Sequence, residues 1–413
     1  MNWWQNEFAT VQRNKLFLAG RKAEDLARTY GTPLYVYGKK AILARYRFVA
    51  EALARATPLE TWVCYAAKAN FNPGILALLR KAGSRLDAVS PNEVDAALEA
   101  GFPPGRILFT GTSVSLEDLG RIFAVEGLTL NVDAAEQLEI MGRFKQKAFP
   151  RKKIRLSVRW NPGIGSGFTP GVVTAGARSS NGTPIMFGVE DKKVAGVFER
   201  ARELGFVPVG LHQHLGSGWI REDYPTVLAA MEKMVRKAVE LEKQGFALEF
   251  LDFGGGFGPR YSEDQALFPV ERYFRAIARA VAKARLGIKA IAVEPGKFLV
   301  GDSAALLLRT EYVKESFGNL FACVNGGTYN SVPRPAIYHA FHEIVNASRV
   351  AGPHRARLTV AGNLCETGDV FGQDRLIPVP ARGDILAVLG AGAYCRSMAS
   401  TFNLRDIPRE ILI

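Results

Sequence analysis

A single lysine closes the apolar run Trp62-Val63-Cys64-Tyr65-Ala66-Ala67-Lys68, and a turn through Asn70, Asn72, Pro73 and Gly74 follows it. An ammonium at the end of a buried strand is costly to desolvate, so it either snorkels to water or has a chemical task. Other reactive residues end similar runs: His212-Gln213-His214-Leu215-Gly216-Ser217-Gly218, Gly254-Gly255-Gly256-Phe257-Gly258 and Glu294-Pro295-Gly296-Lys297. A glycine triplet lets backbone N–H groups approach an anion closely, which suits a phosphate. A plain turn is an equal reading of it. It is not a Walker loop, because no Gly-Lys-Ser/Thr follows. Taken singly, His214 is as readily a core histidine and Glu294 a structural ion-pair partner.

The elements that must position these residues follow a rhythm. Short β-rich runs recur at 61–66, 85–89, 106–110, 129–132, 154–160, 207–212, 248–253 and 289–293. Helical patterns separate most of them, at 75–82, 92–100, 116–125, 134–147, 193–204, 224–244 and 270–284. The helix at Leu116 opens on Ser115-x-x-Asp118, a capping box with Asp in place of Glu. Eight strands alternating with helices predict a (β/α)8 barrel, with an open doubly wound sheet as the alternative. After Gly301 strand-like runs at 304–313, 321–324, 357–361 and 385–389 are separated by Gly/Pro turns, which predicts an all-β domain. The early strands near 15–20 and 32–37 have no place in the barrel rhythm. The expected organisation is therefore a segment 1–39 packing with the β domain, a barrel over 40–303 and a β domain over 304–413.

In a barrel, chemistry sits where the strands end. Lys68, His214, Gly254–Gly256 and Glu294 then fall at one mouth, the glycines after the seventh strand, not after the first as in a dinucleotide fold. Together they are what pyridoxal 5′-phosphate needs: a lysine for the Schiff base, N–H donors for the phosphate, a flat cover for the ring and a carboxylate to keep the pyridine nitrogen protonated.

Tyr65-Ala-Ala-Lys-Ala-Asn70 resembles the signature of the fold-type III pyridoxal-phosphate decarboxylases, the diaminopimelate decarboxylases in particular. Gly31–Tyr37, Asp87-Ala-Val-Ser90, His214–Ser217, Gly254–Gly258, Arg334–Tyr338, Cys365–Asp369, Gly392–Tyr394 and Ser397–Asn403 resemble it too, in the family order, from about Leu16 to Ile413. The resemblance implies an alanine racemase-like α/β fold: a cofactor-binding TIM barrel and a C-terminal β domain that includes the N-terminal strand. It implies a homodimer with shared active sites, converting meso-diaminopimelate to L-lysine and CO2. By the same resemblance Lys68 carries the cofactor, His214 stacks on its ring, and Ser217 and Gly254–Gly256 hold its phosphate. Glu294 pairs with the pyridinium nitrogen and Tyr394 lies beside the cofactor and substrate. Lys297, Arg334 and Tyr338 grip the substrate's far carboxylate. Cys365 and Glu366 reach in from the partner subunit, Cys365 as proton donor. No metal is expected.

Two positions depart from the family pattern. Glu-Pro-Gly-Arg is usual where this chain has Lys297, which keeps the charge but loses arginine's bidentate fork. Met186 stands where a Lys-Phe-Gly pattern is usual. Drift with Arg178 compensating is one reading, and an altered specificity loop the other. Competing functions are a decarboxylase of lysine, ornithine, carboxynorspermidine or a carrier-bound amino acid, an amino-acid racemase, and a non-catalytic cofactor carrier. Glu294 disfavours the racemase, and the second domain disfavours the carrier.

Composition narrows the setting. The 413 residues are 48% hydrophobic, enough for a large core. The net charge is +13, but the basic residues are scattered and no basic stripe interleaves with aromatics, so nucleic acid is not an expected partner. The four cysteines are far apart in sequence, which disfavours a disulfide framework and fits a reducing cytoplasm. The first residues lack a signal-peptide pattern, and no run of about 18 apolar residues predicts a membrane span.

Overall fold

The computed structural model describes residues 2–413. The chain divides into two compact units, Tyr46–Gly258 with Ala266–Gly296, and Met1–Arg45 with Pro259–Gln265 and Lys297–Ile413.

The first unit holds eight parallel strands: β1 (Glu60–Ala66), β2 (Arg85–Ala88), β3 (Ile107–Phe109), β4 (Thr129–Val132), β5 (Arg155–Asn161), β6 (Val207–His212), β7 (Phe250–Asp252) and β8 (Ala290–Val293). Each pairs with the next, and β8 returns to β1 through Ala290↔Glu60 to Val293↔Val63, which closes the barrel. Closure leaves no unpaired edge and forces the strand ends to converge at one mouth. A two-residue strand, Val189–Glu190, adds to β5 from outside.

The helices between the strands carry their own start signals. Asn72 accepts from the N–H of Gly74 and Ile75 ahead of helix Pro73–Lys81, and Ser90 accepts from Glu93 ahead of Pro91–Glu99. The Ser115–Asp118 capping box is formed in both directions. Helix Lys39–Ala56, not located from the sequence, precedes β1. Its signal was present, since Ile42, Tyr46, Val49 and Leu53 are buried at helical spacing.

Inside the barrel, Cys64, Leu108, Val209, Phe250, Ala290 and Ala292 form an apolar layer with Trp62 packed against it. The Trp62 and Phe250 rings lie 4.8 Å apart. A Cβ on Gly210 would meet the Phe250 ring at 2.5 Å, so glycine there makes room for the plug. Truncating Phe250 to alanine would cost about 3–5 kcal/mol. Above this layer the barrel carries buried polar groups, among them Asp87, Thr110, Asn131, Ser157, Arg159, His212, Asp252 and Glu294.

The second unit is mainly sheet. Its main path runs Ile344–Asn346, Ile385–Leu389, Ala304–Ser316, Asn319–Val324, Arg355–Ala361, Val370–Pro378. Leu34–Tyr37 pairs antiparallel with Ala304–Leu307, and Arg409–Leu412 pairs parallel with Leu34–Tyr37. Residues of the early strands (Leu16, Leu18, Leu34, Val36) share one core with Ala305, Leu307, Ala387 and Leu389. Among the described residues, no helix is long and apolar enough to cross a membrane.

Candidate active site

Lys68 leaves β1 on a single 3-10 turn, Ala67–Ala69, and is partly exposed while its neighbours Ala67 and Ala69 are buried. Its Nζ donates to Asp87 Oδ2 at 2.5 Å. Asp87 lies on β2, is fully buried, and accepts at its other oxygen from Thr110 Oγ1 at 2.8 Å, which in turn accepts from Asn131 Nδ2. A row of side chains on successive strands therefore fixes the carboxylate that holds the lysine. Further round the barrel, Arg159 Nε lies 3.7 Å from Asp133, whose oxygens also accept from Thr112 Oγ1 and the Gly188 N–H.

Past β6 the chain runs directly into His214. The His214 Nδ1 accepts from the Gly255 N–H at 3.3 Å and lies 3.9 Å from Glu294 Oε2. Burial pushes the His214 imidazolium down to about 3, and the Lys68 ammonium works in the same direction. His214 is thus a neutral, flat ring at neutral pH.

Glu294 follows β8 directly and is 3% exposed. Burial opposes its ionisation, but the charge and hydrogen bond of His212, with the Lys68 ammonium adding to them, hold it down at about 2. Its Oε2 lies 3.2 Å from His212 Nε2, while its Oε1 has no hydrogen-bond partner. Asp252, at the end of β7, accepts from the Gly254 N–H at 2.9 Å; burial and the neighbouring Glu294 push its carboxyl well above the usual range.

The glycine loop has the backbone its sequence implies. Gly254 and Gly256 have φ of +66° and +124°, and a Cβ on Gly255 would strike the Glu294 carbonyl. The Ser217 loop is tied to it: the N–H groups of Gly218 and Trp219 donate to the Gly256 carbonyl at 2.7 and 2.9 Å. Ser217 itself is half-buried.

The remaining expected residues lie in the second unit. Lys297 is 5% exposed, and its Nζ lies 5.5 Å from the centre of the Tyr394 ring. Burial, reinforced by Arg334, pushes the Lys297 ammonium well below its usual value. Arg334 begins the short helix Arg334–Tyr338, is 2% exposed, and stacks at 4.6 Å over Tyr261. Its Nη1 donates to His342 Nε2 at 3.1 Å, and His342 Nδ1 donates to the Leu389 carbonyl at 2.9 Å. Tyr338 and Tyr394 are half-buried, and Tyr394 adopts φ of +55°, a strained conformation for a side chain of its size. Cys365 and Glu366 are exposed. Their loop is held by Asp369, which accepts from Thr328 N, Thr328 Oγ1 and Leu364 N, and the Cys365 N–H donates to Asn403 Oδ1. Met186 is 66% exposed at the rim of an open cavity of about 690 Å³ outside the barrel strands.

Lys68, His214, the glycine loop and Glu294 are thus brought together at one mouth of the first unit. Asp87, Arg159, His212 and Asp252 were given no role from sequence, although Asp87 opens one of the family-like motifs and His212 opens the run at the end of the sixth strand. For His212 and Asp252 the signal was a polar residue at the end of an otherwise apolar strand; Arg159 stands in a strand that alternates Arg155, Ser157, Arg159 and Asn161 with apolar residues.

The donor set fits pyridoxal phosphate on two structural observations. Glu294 offers one buried oxygen with no partner, and the glycine backbone passes so close to the His214 ring that a Cβ on Gly254 would meet its Nδ1 at 3.0 Å. A closed parallel barrel with this mouth defines a pyridoxal-binding enzyme class. The family described as "Pyridoxal-dependent decarboxylase, pyridoxal binding domain" matches residues 39–301, and the chain belongs to that family. It is 37% identical to the diaminopimelate decarboxylase of Methanothermobacter thermautotrophicus over 97% of this chain and 91% of that one. Among solved structures, it is similar to diaminopimelate decarboxylase from M. jannaschii in co-complex with L-lysine, with a TM-score of 0.89 and 29% identity over 99% of this chain and 93% of that one. The diaminopimelate decarboxylase from Helicobacter pylori complexed with L-lysine gives a TM-score of 0.86 at 31% identity, over 94% and 93%.

Proposed function

We propose that this chain decarboxylates meso-diaminopimelate to L-lysine, with pyridoxal 5′-phosphate carried on Lys68. The observation that carries the reading is Glu294, a buried, ionised carboxylate with one oxygen open. An anion there keeps a pyridine nitrogen protonated, and the cofactor, when bound, supplies an electron sink for the pair left by departing CO2.

The protein's own residues do the rest. Asp87 receives the Lys68 ammonium whenever the lysine is released, so the amine stays at the mouth. The neutral His214 ring covers one face of the cofactor without adding positive charge. The Gly254–Gly256 loop and Ser217 hold the phosphate; with the Gly254 and Gly255 N–H groups bonded to Asp252 and His214, the donors are the Gly256 N–H and the Ser217 hydroxyl. Buried Arg334 and Lys297, with Tyr338, hold the far carboxylate, and Tyr394 lies beside the cofactor and substrate. Arg334 reaches its place already oriented by His342, which lowers the entropic cost of binding.

The chain acts as a homodimer in this reading, with Cys365 and Glu366 contributed across the interface and Cys365 returning the proton. The support is the exposed setting of Cys365 beside apolar residues that a partner would cover: Leu404 is 95% exposed and Phe402 44%. A cytoplasmic location is supported by four free cysteines.

The test is a panel of meso-diaminopimelate, L-lysine, ornithine and carboxynorspermidine, with kcat/KM for CO2 release measured on each. Diaminopimelate ranking first supports the reading. A preference for lysine or ornithine would reassign the substrate, and full activity in Lys68→Ala would remove the mechanism.

A further inference from the structure

His212, Asp252 and Glu294 form a buried trio in which one atom from each lies within 4.8 Å of the others. Two of the three are carboxyl groups, and all are at most 3% exposed. Two adjacent carboxylates in a low-dielectric interior cannot both be ionised at modest cost, so one keeps its proton. Which one matters: only an ionised Glu294 can hold a protonated pyridine nitrogen.

We propose that His212 is the positioning residue that makes Glu294, and not Asp252, the ionised carboxylate of the trio. The inference rests on the proposed function, in which Glu294 meets the cofactor ring. His212 lies at the last position of β6, and its Nε2 is 3.2 Å from Glu294 Oε2. That contact occupies the oxygen on the His212 side and leaves Oε1 open. Asp252 receives a single backbone donor, the Gly254 N–H, and the other hydrogen bond of its carboxyl is shared with Glu294, the contact that favours a proton on Asp252. An imidazole N–H, with the Lys68 ammonium and the Arg159 guanidinium acting on the same carboxylate, outweighs one backbone amide. The other groups facing the trio are His214, Asp87 and Cys64; the neutral ring adds no charge, and Asp87 raises Asp252 further. Asp252 therefore stores the proton, and His212 sets the direction of the Glu294 carboxylate.

Infrared difference spectra of the cofactor-free protein test this without relying on the cofactor. At pH 7 a band from a buried protonated carboxyl is expected, lost in Asp252→Asn and kept in Glu294→Gln. In His212→Ala the proton is expected to move, so that Glu294→Gln now removes the band. A band that survives Asp252→Asn and disappears in Glu294→Gln on the wild-type background would overturn the proposal, as would a stoichiometric metal ion bound at the trio.

Pyridoxal phosphate affinity, read by absorbance titration, is the second measurement. His212→Ala is expected to weaken binding by about 10- to 100-fold, the loss of one hydrogen bond to a charged group. His212→Gln, which keeps a donor, is expected to recover most of it. Asp252→Asn should stay within about threefold of wild type, since it replaces one neutral group by another. Equal losses in Asp252→Asn and His212→Ala would overturn the assignment. Should His212→Ala fail to fold, the Asp252→Asn and Glu294→Gln spectra still locate the proton. A wild type that shows the infrared pattern but never binds the cofactor would sink the proposed function and leave the trio's proton assignment standing.

Discussion

His342 gives the most quantitative handle on the second unit. Its ring is fully buried, and both nitrogens are committed: Nδ1 donates to the Leu389 carbonyl and Nε2 accepts from Arg334. Protonation would turn Nε2 into a donor facing a guanidinium. Burial, followed by the Arg334 charge, pushes His342 down from the usual 6.5 to about 3. A base held below its unfolded value contributes its full stability above pH 6.5. That contribution is lost as the pH falls toward 3, because the unfolded chain takes the proton first. A shift from 6.5 to about 3 corresponds to about 5 kcal/mol at about 1.4 kcal/mol per unit. Between pH 6 and 4 the stability should then fall by about 1.4 kcal/mol per pH unit from this proton alone. His214, also held at about 3, adds a second proton in the barrel. Replacing His342 by glutamine keeps an acceptor for Arg334 and a donor for Leu389 but removes the titration. Urea unfolding of the cofactor-free protein from pH 7 to 4 is the assay. The His342→Gln profile should be flatter by close to one proton's slope. Superimposable slopes for the two proteins would refute the neutral, doubly bonded His342.

Four further outcomes are expected. Lys68→Ala should lose both the visible absorbance of lysine-bound cofactor and CO2 release; a variant that keeps the band would place the cofactor elsewhere. Glu294→Gln should still bind cofactor at high concentration but turn over at least about 100-fold more slowly, read as kcat at saturation. Gly256→Ala should weaken cofactor binding at least about tenfold, because the new Cβ meets the Trp219 ring at a φ of +124°; unchanged absorbance titration would argue against a backbone cradle. Asp369→Ala removes the acceptor of three hydrogen bonds and should destabilise the second unit by about 2–4 kcal/mol in urea titration.

The barrel was legible because each strand is an apolar run punctuated by a turn, and chemistry at its end is a local pattern. Lys68, the Gly254–Gly256 triplet and Glu294 stand immediately past such ends. The groups that orient them were harder to read. Asp87, Arg159, His212 and Asp252 are polar residues within strands, and their significance depends on which neighbours the barrel's register brings alongside, as when Ala66 pairs with Asp87 and His212 with Asp252. In the β domain, Ala304–Ser316 was visible because its first five residues are all buried. Val370–Pro378 was missed because Gln373-Asp374-Arg375 interrupts it and Asp374 takes a positive φ, breaking the alternation. Strand Ala9–Gln12 is four residues long and hidden behind a polar-aromatic lead. The setting of Lys297 was not legible from sequence: its Nζ is buried 5.5 Å from the Tyr394 ring, where burial and the Arg334 charge make its protonation costly.

The most direct test of the function is the balance of products from meso-diaminopimelate carrying labelled carboxyl groups, incubated with the pure protein and pyridoxal phosphate. Decarboxylation predicts one labelled CO2 for each L-lysine formed, with Glu294→Gln slowing both together. Epimerised or unchanged diaminopimelate with no CO2 would contradict it.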